Sequence, residues 1–160
     1  MKTVEDILQA LREVMDPEIP TVSLVDLGVI TSVTIDDDGV PHVEMTPTFA
    51  GCPAMDYMQN QVREKLAELG FEKYDVEMNM RIPWSSNRVT EEGIEGLRKH
   101  GLAPPAKYEG ALELTVLNDI PCPNCGSRET TLKSPFGPTL CRSLHYCRNC
   151  GEAFEAFKPL

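Results

Sequence analysis

The chain has 160 residues, 41% hydrophobic and 25% charged, the proportions of a soluble globular protein with room for one ordinary domain and an appendage, or two small domains. Its net charge of −10 is concentrated at the front: residues 1–118 hold 10 Lys/Arg against 21 Asp/Glu, and residues 119–160 hold 5 against 4. An acidic body without a clustered basic face argues against tight binding to nucleic-acid phosphates, and no run approaches the roughly 20 apolar residues of a membrane helix.

The N-terminal MKTVEDILQALREV is amphipathic rather than a signal-peptide pattern, which makes the cytoplasm the expected location. Thr3 followed by Asp6 forms a capping-box pattern, and Ile7, Leu8, Leu11, Val14 and Met15 recur at helical spacing, predicting a helix over about 3–15. Asp16-Pro17-Glu18-Ile19-Pro20 stops it, because each proline biases the residue before it away from helix. Val29, Thr31, Val33 and Ile35 then alternate with Ile30, Ser32 and Thr34. The turn chemistry of Asp36-Asp37-Asp38-Gly39 and the segment His42–Met45 complete a predicted hairpin.

Beyond Cys52-Pro53, Met55, Met58, Val62, Leu66 and Leu69 fall on one helical face, and Gly70 is placed to cap a helix over about 54–69. Val76, Met78, Met80 and Ile82 alternate with polar residues as a third strand ending at Pro83-Trp84. The order is that of an α+β fold, a small mixed sheet with helices on one face. Thr90 is positioned to cap a helix to Lys99 that Gly93 and Gly96 weaken, Gly101–Pro105 reads as a linker, and Ala111–Leu117 reads as a short strand. The domain division expected is 1–105 and 106–160.

Five of the six cysteines lie after this division. Cys122-Pro123-Asn124-Cys125-Gly126 and Cys147-Arg148-Asn149-Cys150-Gly151 are two C-x-x-C-G turns 21 residues apart. Each turn brings two thiolates to one ion and its glycine supplies backbone geometry closed to other residues, so Cys122, Cys125, Cys147 and Cys150 are expected to close a tetrahedral structural zinc site. A tail of this size builds little core, and the metal would supply folding free energy on the order of 10 kcal/mol. Cys141 lies outside both turns and is either a small buried residue or a reactive or metal-transferring thiol, while His145, two residues before Cys147, is not needed as a ligand.

Cys52 is different. It stands between Gly51 and Pro53 at the start of a predicted helix, where the helix dipole and unpaired N–H groups favour a thiolate. Pro53 at the first helical position would lack only an N–H that goes unpaired there anyway. The residue is either an ordinary buried cysteine or a nucleophilic or iron-binding thiol. As the nucleophile of a cysteine enzyme it would need a base, and His42, His100 and His145 offer no recognisable base motif.

Taken together, Asp16-Pro17-Glu18, Asp26-Leu27-Gly28, Thr46-Pro47-Thr48 followed by Gly51-Cys52-Pro53, and the Trp84 region resemble the small domain of iron–sulfur assembly factors of the SufT kind, over about residues 3–100. With the ribbon appended, and Phe136–Cys141 within it, the whole chain resembles the accessory subunits of bacterial phenylacetyl-CoA 1,2-epoxidases. The resemblance implies a non-catalytic factor of aerobic phenylacetate degradation that assembles or maintains the iron or iron–sulfur centres of the oxygenase or its reductase. It implies that Cys52 is the functional thiol, meeting iron or a cluster transiently, with Asp16, Glu18 and Thr48 shaping its surroundings. The implied partners are other subunits of the epoxidase; sheet edges of the small domain leave room for a homodimer. The other reading is a zinc-ribbon adaptor with a structural role in the oxygenase complex.

Overall fold

The computed structural model describes residues 1–48, 53–105, 117–118, 120–138 and 141–158. Two compact units divide the chain, Met1–Trp84 and Ser85–Leu160. With these bounds the first unit carries 6 Lys/Arg against 16 Asp/Glu and the second 9 against 9, so the whole net charge of −10 belongs to the first.

The first unit opens with helix α1 (Val4–Leu11). Its capping box is formed: the Asp6 N–H donates to Thr3 Oγ1 at 3.2 Å and the Thr3 N–H to Asp6 Oδ2 at 2.7 Å. The helix ends about a turn short of the expected residue 15. The Glu13 and Val14 N–H groups bond to Ala10 and Leu11, tightening the last turn, and Asp16 then accepts from the backbone of Glu18 and Ile19. Strands β1 (Ile30–Ile35) and β2 (Pro41–Met45) form the expected antiparallel hairpin, and Gly39 takes a φ of 79° in the turn between them. Helix α2 (Met55–Glu68) follows, and β3 (Asp75–Met78) returns parallel to β2. β3 ends at Met78 rather than running on to Ile82. The Asn79 N–H bonds to the Met45 carbonyl at 2.7 Å, and Met80 and Ile82 are exposed.

The sheet order β1-β2-β3 is mixed, as expected. Helices α1 and α2 contact each other, and each contacts the sheet. Ile7 and Leu11 from α1, Met58, Val62 and Leu66 from α2, and Val43 and Met45 from β2 are the buried side chains this packing creates. Trp84 closes the unit, its indole N–H donating to the Leu27 carbonyl at 3.0 Å.

In the second unit, α3 (Glu91–Lys99) starts where Thr90 Oγ1 accepts from the Gly93 N–H at 3.1 Å. Gly93 and Gly96, weak helix formers, are buried here: the face that loses propensity is the one that is covered. Gly101, with a φ of 84°, ends the helix. The segment expected to be a linker is instead partly strand. β4 (Leu102–Ala103) pairs in parallel with β7 (Ala153–Phe157), and both its residues are buried. This pairing joins β4 to the ribbon within the second unit. β5 (Thr130–Ser134) and β6 (Arg142–Cys147) complete an antiparallel ribbon, giving the order β4-β7-β6-β5. The strand predicted over Ala111–Leu117 lies outside the described residues except for Leu117, which is buried. Among the described residues, no helix is long and apolar enough to cross a membrane.

Candidate functional site: a four-cysteine metal centre and the assembly-domain loop

Two turns build the metal centre, and they are near copies of each other. In the first, the Gly126 N–H donates to the Cys122 carbonyl at 2.8 Å and the Cys122 N–H to the Ser127 carbonyl at 2.9 Å. In the second, the Gly151 N–H donates to Cys147 at 2.9 Å and the Cys147 N–H to Glu152 at 2.8 Å. Gly126 and Gly151 have φ of 76° and 77°, the left-handed conformation that closes each turn and that side chains resist. The sequence repeat C-x-x-C-G is thus a geometric repeat.

The four sulfurs of Cys122, Cys125, Cys147 and Cys150 all lie within 4.8 Å of one another, with Cys122–Cys150 at 3.7 Å and Cys125–Cys147 at 3.6 Å. A tetrahedral ion with metal–sulfur bonds of about 2.3 Å sets its sulfurs about 3.8 Å apart, so the donor set fits one such ion. None of the five described cysteines is joined in a disulfide. Cys122 and Cys147 are buried in a small core with Ala103, Phe154 and Ala156, while Cys125 and Cys150 face solvent.

The turns also exchange hydrogen bonds. The Asn124 amide donates to Cys150 Sγ at 3.6 Å and the Asn149 amide to Cys125 Sγ at 3.5 Å, each asparagine reaching the last cysteine of the opposite turn. The Asn149 amide, with the Ser127 backbone, holds the Cys125 thiol down to about 6. The Cys150 N–H favours the Cys147 thiolate, but burial and the neighbouring thiols outweigh it and push Cys147 up to about 11. Sulfurs this close cannot all ionise without a cation between them. The asparagines escaped the sequence reading, although the third position of both motifs is Asn and could have revealed them.

His145 is no part of the four-sulfur group. Its Nε2 is 2.7 Å from Ser143 Oγ, its ring stacks on Phe154 with centroids 5.3 Å apart, and burial lowers its pKa so that it stays neutral. Cys141 is also outside the group, and is buried.

In the first unit, Cys52 lies outside the described residues, together with Gly51, Phe49 and Ala50. The elements on either side of it are described. Thr46 is buried, its hydroxyl donating to the Asn79 carbonyl at 3.0 Å and its N–H to the Val29 carbonyl at 2.8 Å, which pins the chain leaving β2. Thr48, next along, is half-buried. On the far side Pro53 and Ala54 form a turn, so Pro53 precedes the helix rather than occupying its first position, and no side chain caps the N-terminus of α2. Asp16 shapes its own turn through the 2.8 Å and 3.0 Å bonds from the Glu18 and Ile19 N–H groups, and Glu18 is exposed.

Comparison with known proteins accounts for both units. Residues 4–77 match the family model described as iron–sulfur cluster assembly protein, and residues 111–158 match the PaaD zinc beta ribbon domain. A protein of Escherichia coli (strain K12) described as a component of 1,2-phenylacetyl-CoA epoxidase is 36% identical over 155 residues, which is 97% of this chain and 92% of that one. An Fe-S protein maturation auxiliary factor of Porphyromonas gingivalis is 37% identical over 95 residues, 59% of this chain and 90% of that one. The crystal structure of a domain of unknown function, DUF59, from Bacillus anthracis superposes with a TM-score of 0.55 at 27% identity, covering 59% of this chain and 90% of that one. With both domains in the same order and a relative matched nearly end to end, the chain belongs to the PaaD family, an iron–sulfur assembly-type domain followed by a zinc ribbon.

Proposed function

We propose that this chain is a non-catalytic accessory factor of a phenylacetyl-CoA epoxidase system, supplying or maintaining the iron or iron–sulfur centres of the oxygenase or its reductase. The observation that carries the reading is the pairing of the two domains in one chain. The assembly-type domain is shared with a maturation factor that matches 59% of this chain, whereas the match that includes the ribbon is to a component of the epoxidase. Iron or a cluster is cargo in this reading, and its carrier is Cys52.

Three features favour a reactive thiol at Cys52. Gly51 allows close approach of a ligand or partner, α2 begins three residues later without a side-chain cap, and the chain leaving β2 is pinned through Thr46. Asp16, Glu18 and Thr48 are the side chains assigned to the same loop region. Zinc is the ion assigned to Cys122, Cys125, Cys147 and Cys150: four sulfur donors in tetrahedral spacing leave no open position, which suits a structural ion. The protein works in the cytoplasm, and the other components of the epoxidase are its partners.

Anaerobic incubation with ferrous iron and sulfide tests the thiol assignment. Wild-type protein should take up iron beyond its zinc, and Cys52→Ser should take up less than about a tenth as much with the zinc content unchanged. Equal iron uptake by the two proteins contradicts the assignment.

A further inference from the structure

The ladder between β6 and β7 continues past its last strand pair, Arg142–Phe157. The Lys158 N–H donates to the Cys141 carbonyl at 2.9 Å, which sets Cys141 and Lys158 opposite each other one step further on. Directly opposed residues of an antiparallel pair point their side chains to the same face, with Cβ atoms about 5 Å apart. Cys141 and Lys158 are each only 5% exposed.

A lysine buried to this degree requires a compensating charge, and among the described residues no carboxylate lies within ion-pairing distance of it. The nearby carboxylate, Glu155, belongs to the other face of the ribbon and is bonded to Arg142 at 2.9 Å. His145, further along the same face as Cys141, is neutral and bonded to Ser143. What does lie against the Lys158 ammonium is the Phe136 ring, 4.9 Å from it. Burial lowers the Lys158 pKa, and the Cys141 sulfur beside it would act to raise it when ionised.

We propose that Cys141 and Lys158 form a thiolate–ammonium pair that makes Cys141 a site of reaction with peroxides, separate from Cys52 and from the four metal-binding cysteines. The Cys141 thiolate attacks one peroxide oxygen, forming an S–O bond as the O–O bond breaks. The sulfur is oxidised by two electrons to a sulfenic acid and the peroxide is reduced. Lys158 gives a proton to the departing hydroxide, so hydrogen peroxide leaves as water and the lysine becomes a neutral amine. Burial restricts the site to small oxidants, since a bulky disulfide cannot reach a thiol this enclosed.

The test treats the zinc-loaded full chain with hydrogen peroxide, removes the oxidant, then unfolds the protein in dimedone so that a buried sulfenic acid is trapped, and follows the Cys141 adduct by peptide mass spectrometry. Cys141 of the wild type becomes labelled at neutral pH. In Lys158→Met labelling slows at least about tenfold, the loss of one unit of thiolate stabilisation, and Lys158→Arg, which keeps the charge, recovers most of the rate. Absence of the adduct in the wild type, or equal rates in wild type and Lys158→Met, overturns the proposal. Where Lys158→Met does not fold, the pH dependence of Cys141 oxidation by hydrogen peroxide in the wild type decides. A midpoint below the ordinary thiol value of about 8.5 supports the pair, and a midpoint at or above it overturns the pair.

Discussion

Cys122, Cys125, Cys147 and Cys150 were legible as a set because metal ligation constrains spacing along the chain, and spacing is what a sequence displays. The asparagines that tune them were harder to see, because their bonds run between turns rather than within one. A hydrogen bond to a coordinating sulfur eases its negative charge, and loss of such a partner typically costs about 10-fold or more in metal affinity. Asn149→Ala should therefore weaken zinc binding about tenfold in competition with a chelator; unchanged affinity would show that the amide is incidental. His42 is a second residue whose role needed the fold. It lies 3.1 Å from Asp36 in the hairpin turn and 3.4 Å from Asp75 in β3, and these carboxylates raise its pKa above the ordinary 6.5, Asp36 first. A raised histidine contributes its stability fully below about pH 6.5 and loses it as pH rises through the raised value. Asp36 sets the acid limit, since His42 lowers its pKa below the ordinary 3.8 and its contribution goes as pH falls through that lowered value. The gap in urea midpoint between wild type and His42→Gln should thus be wider at pH 6 than at pH 8.5, and a gap that does not change with pH contradicts the bridge.

At the scale of elements, periodic spacing located α1, α2 and β1, turn chemistry located β2, and the Thr90 cap located α3, each within a few residues of its observed bounds. The ends were less legible because local hydrogen bonds decide them, as in the tight turn that ends α1 and the Asn79 bond that ends β3. Gly101–Pro105 was misread for a different reason. Gly and Pro do break the helix there, but Leu102 and Ala103 gain their place from β7, some fifty residues away, and no local pattern reports a pairing of that range. The consequence is measurable. Ala103, Cys122 and Cys147 share one buried cluster, so removal of the ion from the cysteines should loosen β4 with the ribbon. On chelation, hydrogen-exchange protection should fall in β4 as well as in β5–β7 while β1–β3 keep theirs; protection lost in β5–β7 but retained in β4 would show that β4 is held independently of the metal.

For the whole molecule, the six cysteines divide between two units. The ribbon unit is charge-neutral and holds four of its five cysteines in a closed set; the first unit carries the entire net charge of −10 and the one cysteine outside the ribbon. That division was visible in the sequence as an isolated Cys52 far from the other five, and the family match on each side of it follows the same line. Cys52 itself lies outside the described residues. The proposal that Cys52 serves another protein's metal centre is tested most directly by the iron content of the epoxidase oxygenase and reductase co-produced with wild-type or Cys52→Ser protein. The variant should stay folded and zinc-loaded while the co-produced oxygenase and reductase lose most of their iron and activity. Full iron occupancy and full activity alongside the Cys52→Ser protein would contradict it.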